Sequence, residues 1–367
     1  MEKKLLFAAS TGDHICKFHL PYLRQFRADG WVVHAACAGH VPEADMVVDV
    51  PFTKRMFSPV NFRAMWILRK RIRKERYAAV IVHTSLAAFF TRLAVLGLKD
   101  RPKVINMVHG YLFDDGTPLV KRSLLLAAEK LTAPVTDLLI TMNRCDYEIA
   151  QKHRLGSTVA AVCGVGVDFL RLDEGRTGCP AKLRRRLGVK NDDFVLIYPA
   201  EFSERKMQHI LLRAMTRLPE NVVLVLPGAG QCLETCKKLA QELGVANRVR
   251  FPGYAADIAA WYEMADAAVS ASRSEGLPFN VMEAMYFGLP VVASAVKGHV
   301  DLIQEERFGL LYPCGDPIAC AGQIMRLIKE PELARSISQA AMQRIRQYGL
   351  DKIQPRVMEL YYSVINE

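Results

Sequence analysis

The stretch best equipped for chemistry is Ser272-Arg273-Ser274-Glu275-Gly276-Leu277-Pro278-Phe279-Asn280-Val281-Met282-Glu283. It follows an apolar run of strand type, 267–270, and leads into a helical pattern. Gly276 admits close backbone approach, and Pro278 suits the start of a helical turn. The amides of Phe279, Asn280 and Val281 are then expected to form an anion site at a helix N-terminus. Two carboxylates flank it, Glu275 in the preceding loop and Glu283 about one turn inside the helix. A carboxylate beside a phosphate is a liability unless it accepts hydrogen bonds from hydroxyls, which a sugar or ribose supplies. In the first half, His109-Gly110 ends the apolar run 104–108 and sets an imidazole at the end of a strand. The pairs Asp114-Asp115 and Asp192-Asp193 lie in polar turns and read as solvated. The nine cysteines are scattered; Cys232 and Cys236 are four apart, with no second pair and no histidine at metal spacing. They read as buried thiols in a reducing compartment, and no metal site is expected.

These side chains need a frame. Strands are expected at 4–9, 31–36, 79–83, 104–109 and 138–141, with helices at 19–29, 62–76, 85–96 and 119–131. The pattern restarts after 173–181, which contains Gly175, Gly178 and Pro180 and reads as a linker. Strands then follow at 194–199, 222–227, 249–251, 267–270 and 290–294, separated by helices at 207–216, 231–243, 257–264 and 281–287. Residues 318–362 are helical. Repeated βα units imply parallel sheets covered by helices on both faces. The expected fold is α/β, with doubly wound domains at 1–172 and 173–345 and a C-terminal helix, 346–367, packing towards the first. Such domains leave a ligand cleft at the carboxyl ends of their strands.

With 367 residues, 51% hydrophobic and 24% charged, the chain is neither disordered, fibrous nor a disulfide-stapled miniprotein. Its net charge of +11 is unevenly spread. Up to Asp168 there are 24 Lys+Arg against 15 Asp+Glu; from Leu170 onward there are 25 against 23. A basic half of this kind suits nucleic acid, anionic lipid or a phosphorylated substrate. Nucleic acid is disfavoured, because no binding module or aromatic-interleaved basic groove is recognisable. The run Arg69-Lys70-Arg71-Ile72-Arg73-Lys74-Glu75-Arg76, with Lys54 and Arg55 upstream and Trp66 nearby, suits a membrane surface. The lipophilic stretch 78–98 is broken by His83, Thr84, Ser85 and Arg92, so it reads as strand and helix rather than a membrane span. The first ten residues lack the pattern of a signal peptide.

Glu275-Gly276 and Glu283-Ala284 are followed by Gly288-Leu289-Pro290-Val291-Val292-Ala293, by Gly298 with Ile303, and by Phe308-Gly309-Leu310-Leu311. This block resembles the retaining nucleotide-sugar glycosyltransferases of family 4, of the bacterial exopolysaccharide, capsule or lipopolysaccharide type. They have the GT-B fold, two Rossmann-like domains facing across a cleft. The resemblance implies that Glu275 contacts the donor sugar near its reacting end and Glu283 bonds the nucleotide ribose. It implies metal independence and no cofactor, so the leaving diphosphate must be neutralised by side chains and helix dipoles. The family commonly has an Arg followed five residues later by Lys. Lys206 fits the second position, but Glu201 fills the first, leaving Arg205 as a substitute. The segment from Gly253 and Tyr254 to Ile258 resembles the one that holds the base, with Tyr254 able to stack. His109 corresponds to a histidine beside the donor sugar. The loop at Gly12 corresponds to one nearing donor phosphate and acceptor, with His14 and His19 on the acceptor side. Val225-Leu226-Pro227-Gly228-Ala229-Gly230 lacks the third glycine of a dinucleotide fingerprint and reads as a structural turn.

The reading is therefore a retaining, UDP-sugar-dependent glycosyltransferase with catalytic Glu275, His109 and Lys206. Its expected acceptor is a lipid-linked saccharide, and its expected place is the cytoplasm, peripheral on the inner face of the membrane. Two alternatives stay open: a nucleotide-sugar 2-epimerase on the same fold, and a non-catalytic sugar-nucleotide-binding subunit of a polysaccharide assembly complex.

Overall fold

A computed structural model describes residues 3–53, 55–114 and 116–366. The chain divides into two compact units, Met1–Gly166 with Asp351–Glu367, and Val167–Leu350.

In the first unit the order is β1 (Lys4–Thr11), α1 (Gly12–Phe18), α2 (Leu20–Ala28), β2 (Val32–Ala38), β3 (Met46–Asp49), α3 (Pro59–Glu75), β4 (Ala79–Val82) and α4 (Ser85–Val95). It continues with β5 (Lys103–Val108), α5 (Leu119–Thr132), β6 (Leu138–Thr141), α6 (Arg144–His153) and β7 (Thr158–Ala161). The seven strands are parallel in the order β3-β2-β1-β4-β5-β6-β7. Their apolar runs are buried on both faces; Leu5, Leu6, Phe7, Val80 and Ile81 are fully enclosed. The order reverses between β1 and β4, so the loops after these strands diverge and leave a crevice at their carboxyl ends.

The second unit opens with α7 (Phe169–Glu174) and α8 (Pro180–Arg186), both inside or beside the segment read as a linker. Then come β8 (Phe194–Ile197), α9 (Gln208–Met215), β9 (Val222–Val225), α10 (Leu233–Glu242), β10 (Val249–Arg250), α11 (Ala259–Glu263), β11 (Ala267–Ser270) and α12 (Phe279–Tyr286). It closes with β12 (Val291–Ser294), α13 (His299–Ile303), β13 (Leu310–Tyr312), α14 (Pro317–Lys329) and α15 (Pro331–Ile345). Its parallel sheet runs β10-β9-β8-β11-β12-β13 and reverses between β8 and β11. The final helix, α16 (Leu350–Ile365), lays Ile353, Val357, Met358, Tyr361 and Val364 into the first unit, where Tyr361 stacks on Phe26 at 5.9 Å. No helix among the described residues is long and apolar enough to cross a membrane.

Three local differences from the sequence reading have clear causes. Residues 12–18 form a helix rather than a loop, because Thr11 caps it by accepting from the His14 amide at 3.3 Å and Asp13 sits in its positive first turn. Gly12 is a glycine for packing: a Cβ there would lie 2.5 Å from the His40 carbonyl oxygen. Pro278 is the extended N-cap of α12, one residue before the helix starts.

Candidate functional site

In the second unit the candidate side chains gather after β8 and β11, the two strands that flank the reversal of sheet order. Their loops are stitched together: the Arg273 amide donates to the Arg205 carbonyl at 2.8 Å. The buried Tyr198 hydroxyl holds the Lys206 carbonyl at 3.1 Å and pairs with Ser272 Oγ at 2.8 Å. The turn Val225 to Gly230 braces the same loop. Gly228 and Gly230 lie so close to it that Cβ atoms would meet the Ala200 and Phe202 carbonyl oxygens at 2.0 and 2.4 Å. The Phe202 amide donates to Ala229 O at 2.8 Å.

Glu275, 8% exposed, is the centre of this arrangement. Lys206 Nζ donates to its Oε1 at 2.5 Å, and Arg205 Nη1 donates to its Oε2 at 3.0 Å. Burial alone would raise the Glu275 pKa. Lys206, Arg205 and His299 overcome that and hold it at about 2. The carboxylate is thus ionised across the working range, with two cations gathered on it. Behind it, Gly298 has φ +82°, and a Cβ there would clash with the Gly276 carbonyl at 2.7 Å. The fully buried His299 follows, its Nδ1 donating to Ser294 O at 2.8 Å and its Nε2 accepting from Ser270 Oγ, 3.1 Å away. Burial, partly offset by Glu275, pushes His299 down to about 4, so it is a neutral support.

The α12 amides of Phe279, Asn280 and Val281 precede the first intrahelical bond, Met282 N to Pro278 O at 3.1 Å. The side chains of Leu277, Phe279 and Val281 pack into the core, fixing the helix end. Asn280 Nδ2 donates to Pro199 O at 3.1 Å, tying α12 to the end of β8. Glu283 engages Tyr262, whose hydroxyl donates to its Oε2 at 2.9 Å and to Asn280 O at 3.1 Å. Burial raises Glu283 to about 7 against the lowering effects of Tyr262 and Arg171. The two glutamates therefore have opposite electrostatic settings within one helix start. Gly253, at φ +84°, accepts from the Gly228 amide at 2.8 Å, and Tyr254 is 70% exposed.

In the first unit, His14, His19 and His109 come together with His83, which the sequence reading did not single out. His19 Nε2 lies 3.2 Å from His109 Nε2, and His109 Nε2 lies 3.3 Å from His83 Nδ1. The topology accounts for this: α1 follows β1, while His83 and His109 end the neighbouring strands β4 and β5. Two strand-end histidines on adjacent parallel strands were the available signal. Burial, with smaller contributions from neighbouring cations and rings, lowers His14 to about 4 and the other three well below the ordinary value. After His83, Thr84 adopts φ 58°, a strained conformation costing on the order of 1–3 kcal/mol for a β-branched residue. Ser10 holds it through two contacts to Thr84 Oγ1, at 3.0 and 2.8 Å. A recess of ≈ 320 Å³ beside the cluster is lined by Thr84, Ser85, Asn106, His109 and Glu129.

The basic run of α3 is divided in its uses. Arg69 donates to the Ala94 and Leu96 carbonyls, both at 2.8 Å, and Arg71 and Lys4 pair with Glu75. Lys70, Arg73 and Lys74 are exposed, near exposed Phe62 and Trp66. Lys54 lies outside the described residues, as does Asp115; Asp114 is no merely solvated group but closes a turn with the Gly116 amide and Thr117.

Two doubly wound parallel sheets, the second with a paired carboxylate and cations at its switch point, are the architecture of two-domain proteins of the GT-B type. The description "Glycosyl transferases group 1" matches residues 181–344, and "Glycosyltransferase Family 4" matches residues 22–169. The protein named "Putative glycosyltransferase EpsD" of Bacillus subtilis (strain 168) is 33% identical over 100% of this chain and 98% of its own length. HepE of Anabaena, solved with UDP-glucose, shares the fold at a TM-score of 0.79 with 22% identity, covering 98% of this chain and 99% of its own. Sucrose-phosphate synthase of Thermosynechococcus elongatus superposes at a TM-score of 0.81 with 20% identity, over 100% of both chains. The chain belongs to the family 4 glycosyltransferases of the GT-B fold.

Proposed function

We propose that this glycosyltransferase takes its sugar from a nucleoside-diphosphate donor, of the UDP type, and passes it to a lipid-linked saccharide with retention at the anomeric carbon. The observation that carries the reading is the pairing of Glu275 with Lys206 and Arg205 in front of the first turn of α12. A diphosphate arriving there meets two cations and helix amides, the electrostatic arrangement that favours a leaving anion. Lys206, and Arg205 in place of the Arg replaced by Glu201, then exchange Glu275 for phosphate oxygens. Released from part of its pairing, Glu275 accepts from sugar hydroxyls, and Glu283 accepts from the ribose. Gly253 and Tyr254 flank the base, with Tyr254 offering a face for stacking. By resemblance we assign His109 to the reacting sugar, Gly12 to the donor, and His14 and His19 to the acceptor. Since the cations come from side chains, transfer itself needs no metal at the donor phosphates. UDP-glucose in the HepE structure supports the donor class.

The basic first unit supports a membrane-held acceptor. It carries 26 Lys+Arg against 17 Asp+Glu, and exposes Phe57, Phe62, Trp66, Leu119, Val120 and Leu124. We place it on the anionic cytoplasmic leaflet, in cell-surface polysaccharide synthesis.

The test incubates the purified chain with a panel of radiolabelled nucleotide sugars and a bacterial lipid extract. Label should pass from donor to the organic phase. Glu275→Ala and Lys206→Ala should slow transfer by about tenfold or more with unchanged circular dichroism. Wild-type transfer in both variants would defeat the assignment, and epimerised donor in the absence of lipid would make the protein an isomerase.

A further inference from the structure

From the four-histidine cluster of the first unit, we infer a binding site for a divalent transition-metal ion of the zinc class, held by His14, His19 and His109, with His83 able to join only when its ring turns. One ring nitrogen of each residue lies within 4.8 Å of all the others. A tetrahedral ion bound at about 2.0–2.1 Å separates its ligand nitrogens by roughly 3.3–3.4 Å. The His19 Nε2–His109 Nε2 pair, at 3.2 Å, has that spacing.

Hydrogen bonding among the rings cannot account for the arrangement. In a neutral imidazole each nitrogen carries either one proton or one lone pair. His109 Nε2 nevertheless faces both His19 Nε2 and His83 Nδ1, so one of those approaches lacks a well-formed bond. In addition, His14 Nε2 is enclosed with no hydrogen-bond partner among the described residues. Lone pairs crowded into one space repel one another, and a cation that accepts them removes the conflict. Imidazole nitrogen is the donor chosen by zinc, copper, nickel and iron rather than by magnesium or calcium.

Ring orientation sets the coordination. His19 and His109 stand nearly perpendicular, at 83°, so lone pairs in both ring planes can meet at one point. His83 is stacked on His19 with centroids 3.7 Å apart. As it stands it cannot share that point with His19, and it joins only when its ring turns. The site thus has three ligands and an exchangeable fourth position. It does not depend on the glycosyl-transfer reading, and binding is measured without turnover.

The experiment uses the full chain without a histidine tag, stripped with a chelator and dialysed against Zn²⁺ or Co²⁺. One ion per chain is expected, with Co²⁺ giving the visible bands of a tetrahedral nitrogen site and raising the melting temperature. His14→Gln, on a partly exposed position, and His19→Gln should each weaken binding by about tenfold or more. Circular dichroism of each variant confirms its fold, and His14→Gln carries the test should His19→Gln not fold. Substoichiometric binding of both ions overturns the inference. So does binding that both folded variants retain, or a cobalt spectrum dominated by the near-ultraviolet thiolate band, which would assign the ion to exposed Cys163, Cys179 or Cys314.

Discussion

Glu275 and Glu283 show how residue type and environment divide one motif into two settings. Glu275 gains more from Lys206, Arg205 and His299 than it loses by burial, and its pKa falls to about 2. Glu283 has only the Tyr262 hydroxyl and distant Arg171 against its burial, and its pKa rises to about 7. A raised carboxyl pKa means that the folded state holds a proton the unfolded chain has released. That contribution to stability is complete below the ordinary value of 4.5 and is lost as pH rises through about 7. Glu283→Gln should therefore flatten the decline in stability across this window, measured by urea denaturation at several pH values. An unchanged slope would show that Glu283 is ionised in the free protein. The pair itself was legible in the sequence, as were Lys206 and His109, because motif and strand-end position mark them. His83, Tyr262 and His299 were not: each makes a contact across 18 to 29 residues that no local pattern marks.

At the level of elements, the long buried strands and helices were readable from apolar runs and periodicity. Short or weakly apolar ones escaped: α1, β3, α6, β7, α7, α8, α13 and β13. β7, Thr158–Ala161, has no fully buried residue and is recognisable only through its pairing with β6. α3 and α5 show the opposite case, with large apolar side chains left exposed. Trp66 is 63% exposed and Val120 86%. With Lys70, Arg73, Lys74 and Lys121 exposed around them, these elements should bind vesicles containing anionic lipid. Replacing Trp66 by Ala and Val120 by Asp should lower flotation with such vesicles without changing the melting temperature. Equal flotation of variant and wild type would place the membrane contact elsewhere.

On the scale of the whole molecule, the charge imbalance of the sequence follows the structural units: the second carries 23 Lys+Arg against 21 Asp+Glu, nearly balanced. The excess therefore lies outside the unit that carries the Glu275 site. The chain also returns to the first unit through α16, whose Tyr361 is fully buried against Tyr22 and Phe26. Tyr361→Ala should destabilise that unit by about 3–5 kcal/mol, the usual loss for a large buried ring, read from thermal or urea unfolding. An unchanged midpoint would mean that α16 is dispensable to the first unit.

The central claim is that the cations at Glu275 receive a nucleoside diphosphate. Isothermal titration with a panel of nucleotide sugars tests this most directly, comparing wild type with Lys206→Ala. At 100 times its dissociation constant the true donor also stabilises the fold by about 2.7 kcal/mol, which gives a second readout. The account predicts saturable binding of at least one nucleoside-diphosphate sugar, weakened about tenfold or more by Lys206→Ala. No binding by the wild type, or equal binding by the variant, would contradict it.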